Sequence, residues 1–79
     1  MARVLVFFDR RSGTVTVNTY SDEGELLETS SYGDVSHLVF EAPVSTSRGL
    51  EGWLEAYSAK GGVVAERRGS ILYIRGARQ

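Results

Sequence analysis

Strict alternation of apolar and polar side chains over Thr14–Tyr20 is the feature that most constrains the fold of this 79-residue chain. In an extended backbone Val15 and Val17 lie on one side, whereas Asn18 and Tyr20 lie on the other. A period of two predicts a β-strand with one face in a core and one face in water. Such a strand needs neighbours to pair with, so the chain is expected to form a sheet.

Further segments are predicted to be extended, because they are rich in β-branched or aromatic residues and are bounded by turn residues. They are residues 4–8, 25–32, 35–42, 63–66 and 70–74. Residues 4–8 are apolar on both faces, which indicates a central strand. Short turns at 9–13, 21–24 and 67–69 predict that the sheet is built from hairpins.

One segment has helical spacing. Leu50, Trp53, Leu54 and Tyr57 recur at i, i+3, i+4 and i+7, which places them on one face of an α-helix. The serine- and threonine-rich stretch at 45–47 favours an N-cap before it. The predicted fold class is therefore α+β: a small antiparallel sheet of about four or five strands, with the one α-helix packed across one face.

The length allows one domain, residues 1–79. A hydrophobic fraction of 42% is typical of a globular chain. The core is predicted to contain the aromatic residues that lie in apolar patterns, namely Phe7, Phe8, Phe40, Trp53 and Tyr57. No apolar run is long enough for a membrane span or a signal peptide, which predicts a soluble, cytoplasmic protein.

Charge is unevenly distributed although the net charge is only −1. Residues 21–59 carry eight acids against one arginine, and both flanking segments are basic. An acidic surface favours a protein partner with a basic surface. The candidate protein-binding residues are Asp22, Glu23, Glu25 and Glu28 near the second turn, Glu51 and Glu55 on the predicted helix, and Tyr20, which is expected to be exposed. The alternative is that these acids form only a solvated surface and bind no partner.

Two arginine pairs lie at the tips of the first and last predicted hairpins. They are Arg10 and Arg11, and Arg67 and Arg68. Together they predict a cationic rim that could bind nucleic acid, since guanidinium groups make bidentate contacts with phosphate. The alternative is that hairpin tips simply take polar residues and glycine.

The sequence contains no recognisable catalytic motif. It has no cysteine, and the single histidine, His37, has only Asp34 near it, three residues away and so on the opposite side of a strand. A half-buried histidine with satisfied hydrogen bonds is the better interpretation. Neither a phosphate-binding loop, a serine-nucleophile motif nor a calcium loop is present. We therefore predict no enzyme, no cofactor and no metal.

These observations predict a non-catalytic protein-binding module that acts by occluding the surface of its partner. In size, lack of catalytic groups and arrangement of hairpins the chain resembles small phage-encoded inhibitors, anti-CRISPR proteins among them, although no specific residue carries the likeness. Such an inhibitor would target a host nucleic-acid-binding or defence protein. The alternatives are a small nucleic-acid-binding domain and a structural homo-oligomer, for example a homodimer that covers a sheet edge.

Overall fold

The computed structural model describes residues 2–41, 44–49, 52–58 and 62–76. This part of the chain is all-β: eight strands form two sheets, and it contains no helix. The predicted α+β class, with a helix across one sheet face, is therefore wrong. The strands are β1 (Ala2–Asp9), β2 (Thr14–Tyr20), β3 (Leu26–Tyr32), β4 (His37–Phe40), β5 (Ser45–Arg48), β6 (Leu54–Ser58), β7 (Val63–Arg68) and β8 (Ile71–Gly76).

One layer is a five-stranded antiparallel sheet with the order β3-β2-β1-β6-β5. The second layer is a three-stranded sheet with the order β4-β8-β7, in which β8 runs antiparallel to β7 and parallel to β4. The first and last predicted hairpins are confirmed, and β1 is central as expected. The two hairpins lie in different sheets.

The core between the two layers is aliphatic. Its buried residues are Val4, Val6, Val15, Val17, Val35, Ala56, Leu72 and Ile74. Opposite residues of paired strands share a face, so each sheet has one apolar face. Val6 lies opposite Val17 in one sheet, and Phe40 opposite Ile74 in the other. The two apolar faces pack against each other in the core. The prediction of an aromatic core is wrong, since Phe8 and Phe40 are only partly buried at its margin.

The segment predicted to be helical forms β5 and β6, which pair antiparallel with Ser45 opposite Tyr57 and Arg48 opposite Leu54. β6 also pairs with β1, and this places Leu54 opposite Val6 on the core side. The remaining residue of the predicted apolar stripe, Leu50, lies outside the described residues.

The chain is extended here because the same residues also fit a period of two. Leu54 and Ala56 both face the core, opposite two valines of β1, while Tyr57 faces the other side. Glycine costs about 1 kcal/mol in a helix relative to alanine, and Gly52 has a φ of +86°, far from helical values. The Gly49 N–H donates to the Trp53 carbonyl at 2.7 Å, as in a turn between paired strands.

Replacing Trp53 by alanine tests this arrangement. A tryptophan on the buried face of a helix would cost about 3–5 kcal/mol when truncated. Trp53 is instead half-buried, and its ring centroid lies 5.3 Å from that of Phe7. We expect the free energy of unfolding to fall by only about 1–2 kcal/mol, mostly from the lost aromatic contact.

The measurement is urea denaturation followed by circular dichroism on the two single alanine variants of Trp53 and Phe7 and on the double variant. A coupling energy of about 0.5–1.5 kcal/mol is expected between the two rings. A loss above about 3 kcal/mol for Trp53→Ala alone would place this side chain in the core, contrary to the structure.

Candidate functional site

The structure brings together four of the six predicted acidic residues. Asp22, Glu23, Glu25 and Glu28 are all exposed and lie in or just after the turn that joins β2 to β3. Glu55 is separate from them: it lies on β6, and its carboxylate is 3.8 Å from the guanidinium of Arg3. Glu51 lies outside the described residues. The prediction that Glu55 lies on an acidic helix face is therefore wrong, because this residue is on a strand.

Short-range hydrogen bonds hold the β2–β3 turn in one conformation. The Ser21 N–H donates to the Glu25 carbonyl at 2.8 Å, and the Glu25 N–H donates to Ser21 Oγ at 3.1 Å. The Gly24 N–H also donates to the Ser21 carbonyl, at 3.0 Å. The carboxylates are thus presented from an ordered loop.

The strand that follows this turn, β3, is the edge of the five-stranded sheet. Two leucines on it are prominent: Leu26 is 56% exposed and Leu27 is 63% exposed. Thr19 lies opposite Glu28 and Tyr20 opposite Leu26, so Leu27 is the extra residue of a β-bulge. We call the surface formed by Asp22, Glu23, Glu25, Leu26, Leu27 and Glu28 the acidic edge.

Tyr20 adjoins the acidic edge but is half-buried rather than exposed. The guanidinium carbon of Arg3 lies 5.1 Å from the centre of its ring, within range of a cation–π contact. The expectation of a fully exposed tyrosine is therefore corrected: one face of the ring is already covered by Arg3.

The four candidate arginines lie at one end of the sandwich. The β1–β2 turn and the β7–β8 turn both bind residues 33–36: the Val35 N–H donates to the Gly13 carbonyl at 2.8 Å, and the Ser36 N–H donates to the Ser70 carbonyl at 2.8 Å. Arg10 and Arg11 lie in the first of these turns and are exposed. The two hairpin tips therefore lie close to the same connecting segment.

The second arginine pair is not a free turn, because β7 extends through Arg68. The Arg67 side chain donates to the carbonyls of Gly33 and Gly69. The Arg68 guanidinium lies 3.1 Å from the Glu66 carboxylate and 5.2 Å from the centre of the Tyr73 ring. Both side chains of this pair therefore bind groups of the protein itself.

An open cleft of about 1100 Å³ lies beside the first arginine pair, between the two sheets. One wall is formed by β1, β5 and β6, with Phe8 and Arg48, and the other by β4, with Leu38 and Phe40. We call it the arginine cleft, defined by Phe8, Arg10, Arg11, Leu38, Phe40 and Arg48. The cleft was not predictable from the sequence pattern, because Arg48 belongs to the segment predicted to be helical. The pairing of Arg48 with Leu54, which faces the core, is what turns this arginine toward the cleft.

His37 also borders the cleft, and it is exposed rather than half-buried. Its Nδ1 lies 3.0 Å from the Ser36 hydroxyl. Among the described residues, no group of three or more histidine and carboxylate side chains is arranged to hold a metal ion. Within the same part of the chain, no helix is long and apolar enough to cross a membrane.

The chain matches no protein-family model, and comparisons with curated proteins and with solved structures find no match either. The two surfaces of the chain that carry a functional interpretation are the acidic edge and the arginine cleft.

Proposed function

We propose that the protein is a non-catalytic protein-binding module that pairs with a basic, strand-forming segment of its partner through the acidic edge. The observation that carries this proposal is that two highly exposed leucines lie on an edge strand among four exposed acids. A long edge strand with exposed apolar side chains is a template for pairing with another chain.

Backbone pairing would supply much of the affinity. A partner segment added alongside β3 forms main-chain hydrogen bonds with the open side of the strand, as in other β-augmentation complexes. Side chains of the added segment would then cover part of the exposed area of Leu26 and Leu27, and burying apolar area is worth about 25 cal/mol per Å². The leucines thus account for attraction that the acids alone could not provide.

The four carboxylates would select the partner by charge. Rim charges of this kind mainly raise the association rate of oppositely charged surfaces and disfavour acidic ones. Tyr20, next to Leu26 across the strand pair, would extend the contact, since tyrosine is enriched at protein interfaces. Glu55 is outside this surface, because β2 and β1 lie between β3 and its own strand, β6.

A partner segment held on β3 is unavailable to its other ligands, so the module would act by occlusion. A basic segment of this kind is common in nucleic-acid-binding proteins, and inhibition of such a host protein is the form of activity that we propose. This mode of action needs no reactive group on the module.

The experiment is a pull-down from host lysate with the unmodified protein and two variants of the acidic edge. One variant reverses charge (Glu23→Lys, Glu25→Lys) and the other removes apolar contacts (Leu26→Ser, Leu27→Ser). For the captured partner, once identified, we expect charge reversal to slow association about ten-fold and the serine variant to speed dissociation about ten-fold.

The matched control reverses one exposed acid outside the acidic edge, Glu41→Lys, for comparison with the single reversal Glu25→Lys, and should bind as the parent does. All variants are first compared with the parent by thermal denaturation. Equal binding by the parent and both edge variants would contradict the proposal. A protein whose mass in solution is that of a dimer, returned to a monomer by the two leucine substitutions, would instead show that β3 pairs with a second copy.

A further inference from the structure

The arginine cleft is spatially separate from the acidic edge. The turn that carries Arg10 and Arg11 precedes β2, whereas the acidic turn follows it, so the two surfaces lie at opposite ends of this strand. Seven residues of antiparallel strand span about 20–24 Å. An activity of the cleft is therefore independent of the function proposed for the acidic edge.

Every charged residue among the described residues that line the cleft is an arginine: Arg10, Arg11 and Arg48. The ion pairs found in the described part of the chain involve Arg3, Arg68 and Arg75 instead. The three cleft arginines thus keep their charge available for an external anion. Arginine suits phosphate because its planar guanidinium group can donate two parallel hydrogen bonds to it.

The wall behind the arginines is apolar and contains aromatic rings. Phe8 and Phe40 are both partly buried, which leaves part of each side chain accessible from the cleft. The Arg10 guanidinium lies 6.0 Å from the centre of the Phe8 ring, so a cation and an aromatic face already lie side by side. Cationic grooves with exposed rings bind single strands, because phosphates contact the cations while bases stack on the rings.

We infer that the arginine cleft binds a short stretch of single-stranded nucleic acid, with phosphates on Arg10, Arg11 and Arg48 and a base against Phe8 or Phe40. The volume of about 1100 Å³ is close to that of a small-molecule pocket, so one or a few nucleotides enter it. The arginines that bind phosphate are thus not the two pairs at the hairpin tips that the sequence suggested. Arg67 and Arg68 are excluded, because groups of the protein itself already hold them.

The test is fluorescence anisotropy with labelled oligo-dT and oligo-U of about ten nucleotides, a length within known single-strand site sizes. Titrations start at about 50 mM salt, where electrostatic binding is strong. We expect both probes to bind, and the triple variant Arg10→Gln, Arg11→Gln, Arg48→Gln to bind about ten-fold more weakly or worse. The slope of log K against log salt should become shallower by about 2, since each single-strand phosphate contact contributes about 0.7.

The control variant removes three arginines that lie outside the cleft: Arg3→Gln, Arg68→Gln and Arg75→Gln. It changes the net charge of the protein by the same amount, so it should bind nearly as the parent does. Phe8→Leu and Phe40→Leu, made singly, each keep an apolar side chain but remove a ring, and at least one of them should weaken binding about five-fold by loss of stacking. If the triple variant does not fold, Arg48→Gln alone provides the test, with an expected loss of about three-fold and a slope change of about 0.7.

Three results would overturn the inference. The first is no binding of either probe by the parent protein at low salt. The second is equal weakening by the cleft variant and the control variant, which would show only diffuse attraction between charges. The third is displacement of the labelled probe by a poly-glutamate peptide at concentrations where unlabelled oligonucleotide does not displace it, which would assign the cleft to an acidic protein segment.

Discussion

Replacement of Leu72 by alanine is expected to lower the free energy of unfolding by about 3 kcal/mol and to leave the domain largely unfolded at physiological temperature. Leu72 lies on β8, the central strand of the three-stranded sheet, and none of its surface is exposed. Leucine-to-alanine changes in a core cost about 2–5 kcal/mol, because apolar contacts are lost and a cavity remains. A chain of this length buries only about 60% of its unfolded surface, so it has little stability to lose.

The measurement is thermal denaturation followed by circular dichroism. For a domain of this size, 1 kcal/mol shifts the melting temperature by about 4–8 °C, which predicts a fall of about 12–24 °C. Leu27→Ala is the matched control, because it makes the same chemical change at a side chain that is 63% exposed and should cost less than about 0.5 kcal/mol. Similar falls for the two variants would show that Leu72 is not part of a packed core.

The hairpins were predictable because their signals are local. The alternation over Thr14–Tyr20, the apolar run before it and the glycine at the turn all lie within a short stretch of chain, and they agree with one another. The same holds for β7 and β8. The parallel pairing of β4 with β8 carries no such signal, since His37 lies opposite Ile71, 34 positions further along the chain. Local patterns do not specify pairings over this distance.

The helix predicted in the segment from Ser45 to Ser58 was wrong for a different reason. Two periods overlap in it: Leu54 and Tyr57 fit a helix face, whereas Leu54 and Ala56 fit a strand face. The choice between them is made by β1, whose second side would be unpaired without β6. Tertiary pairing therefore overrides a helical pattern that contains Gly49 and Gly52.

The two candidate surfaces also differ in whether their residues are close together or far apart along the chain. The acids of the acidic edge are within seven positions of one another, so the sequence alone identified them, although it did not place them on an edge strand. The arginine cleft combines a turn, β4 and β5, which are distant along the chain. Arg48 joins Arg10 and Arg11 because β5 pairs with β6, and β6 with β1, within the five-stranded sheet. No linear motif could have predicted this group.

Replacement of Gly13 by valine is expected to cost about 2–4 kcal/mol, because two separate effects add. Gly13 has a φ of +73°, and a residue with a side chain pays about 1–2 kcal/mol to adopt such a left-handed conformation. A Cβ atom at this position would also lie 3.3 Å from the Val35 carbonyl oxygen, closer than most such contacts. The Val35 N–H donates to the Gly13 carbonyl at 2.8 Å, so the substitution strains the contact between the β1–β2 turn and the connection from β3 to β4.

Gly24→Val separates the two effects. Gly24 has a φ of +86°, but a Cβ atom there would meet nothing within 4 Å, so only the conformational cost of about 1–2 kcal/mol applies. Urea denaturation of both variants should therefore show Gly13→Val to be the less stable by about 1–2 kcal/mol, the contribution of the close approach to Val35. The contact between Gly13 and Val35 holds the turn that carries Arg10 and Arg11. Gly13→Val should therefore also weaken oligonucleotide binding at temperatures where it is still folded. Equal stability of the two valine variants would mean that Val35 does not lie against this turn.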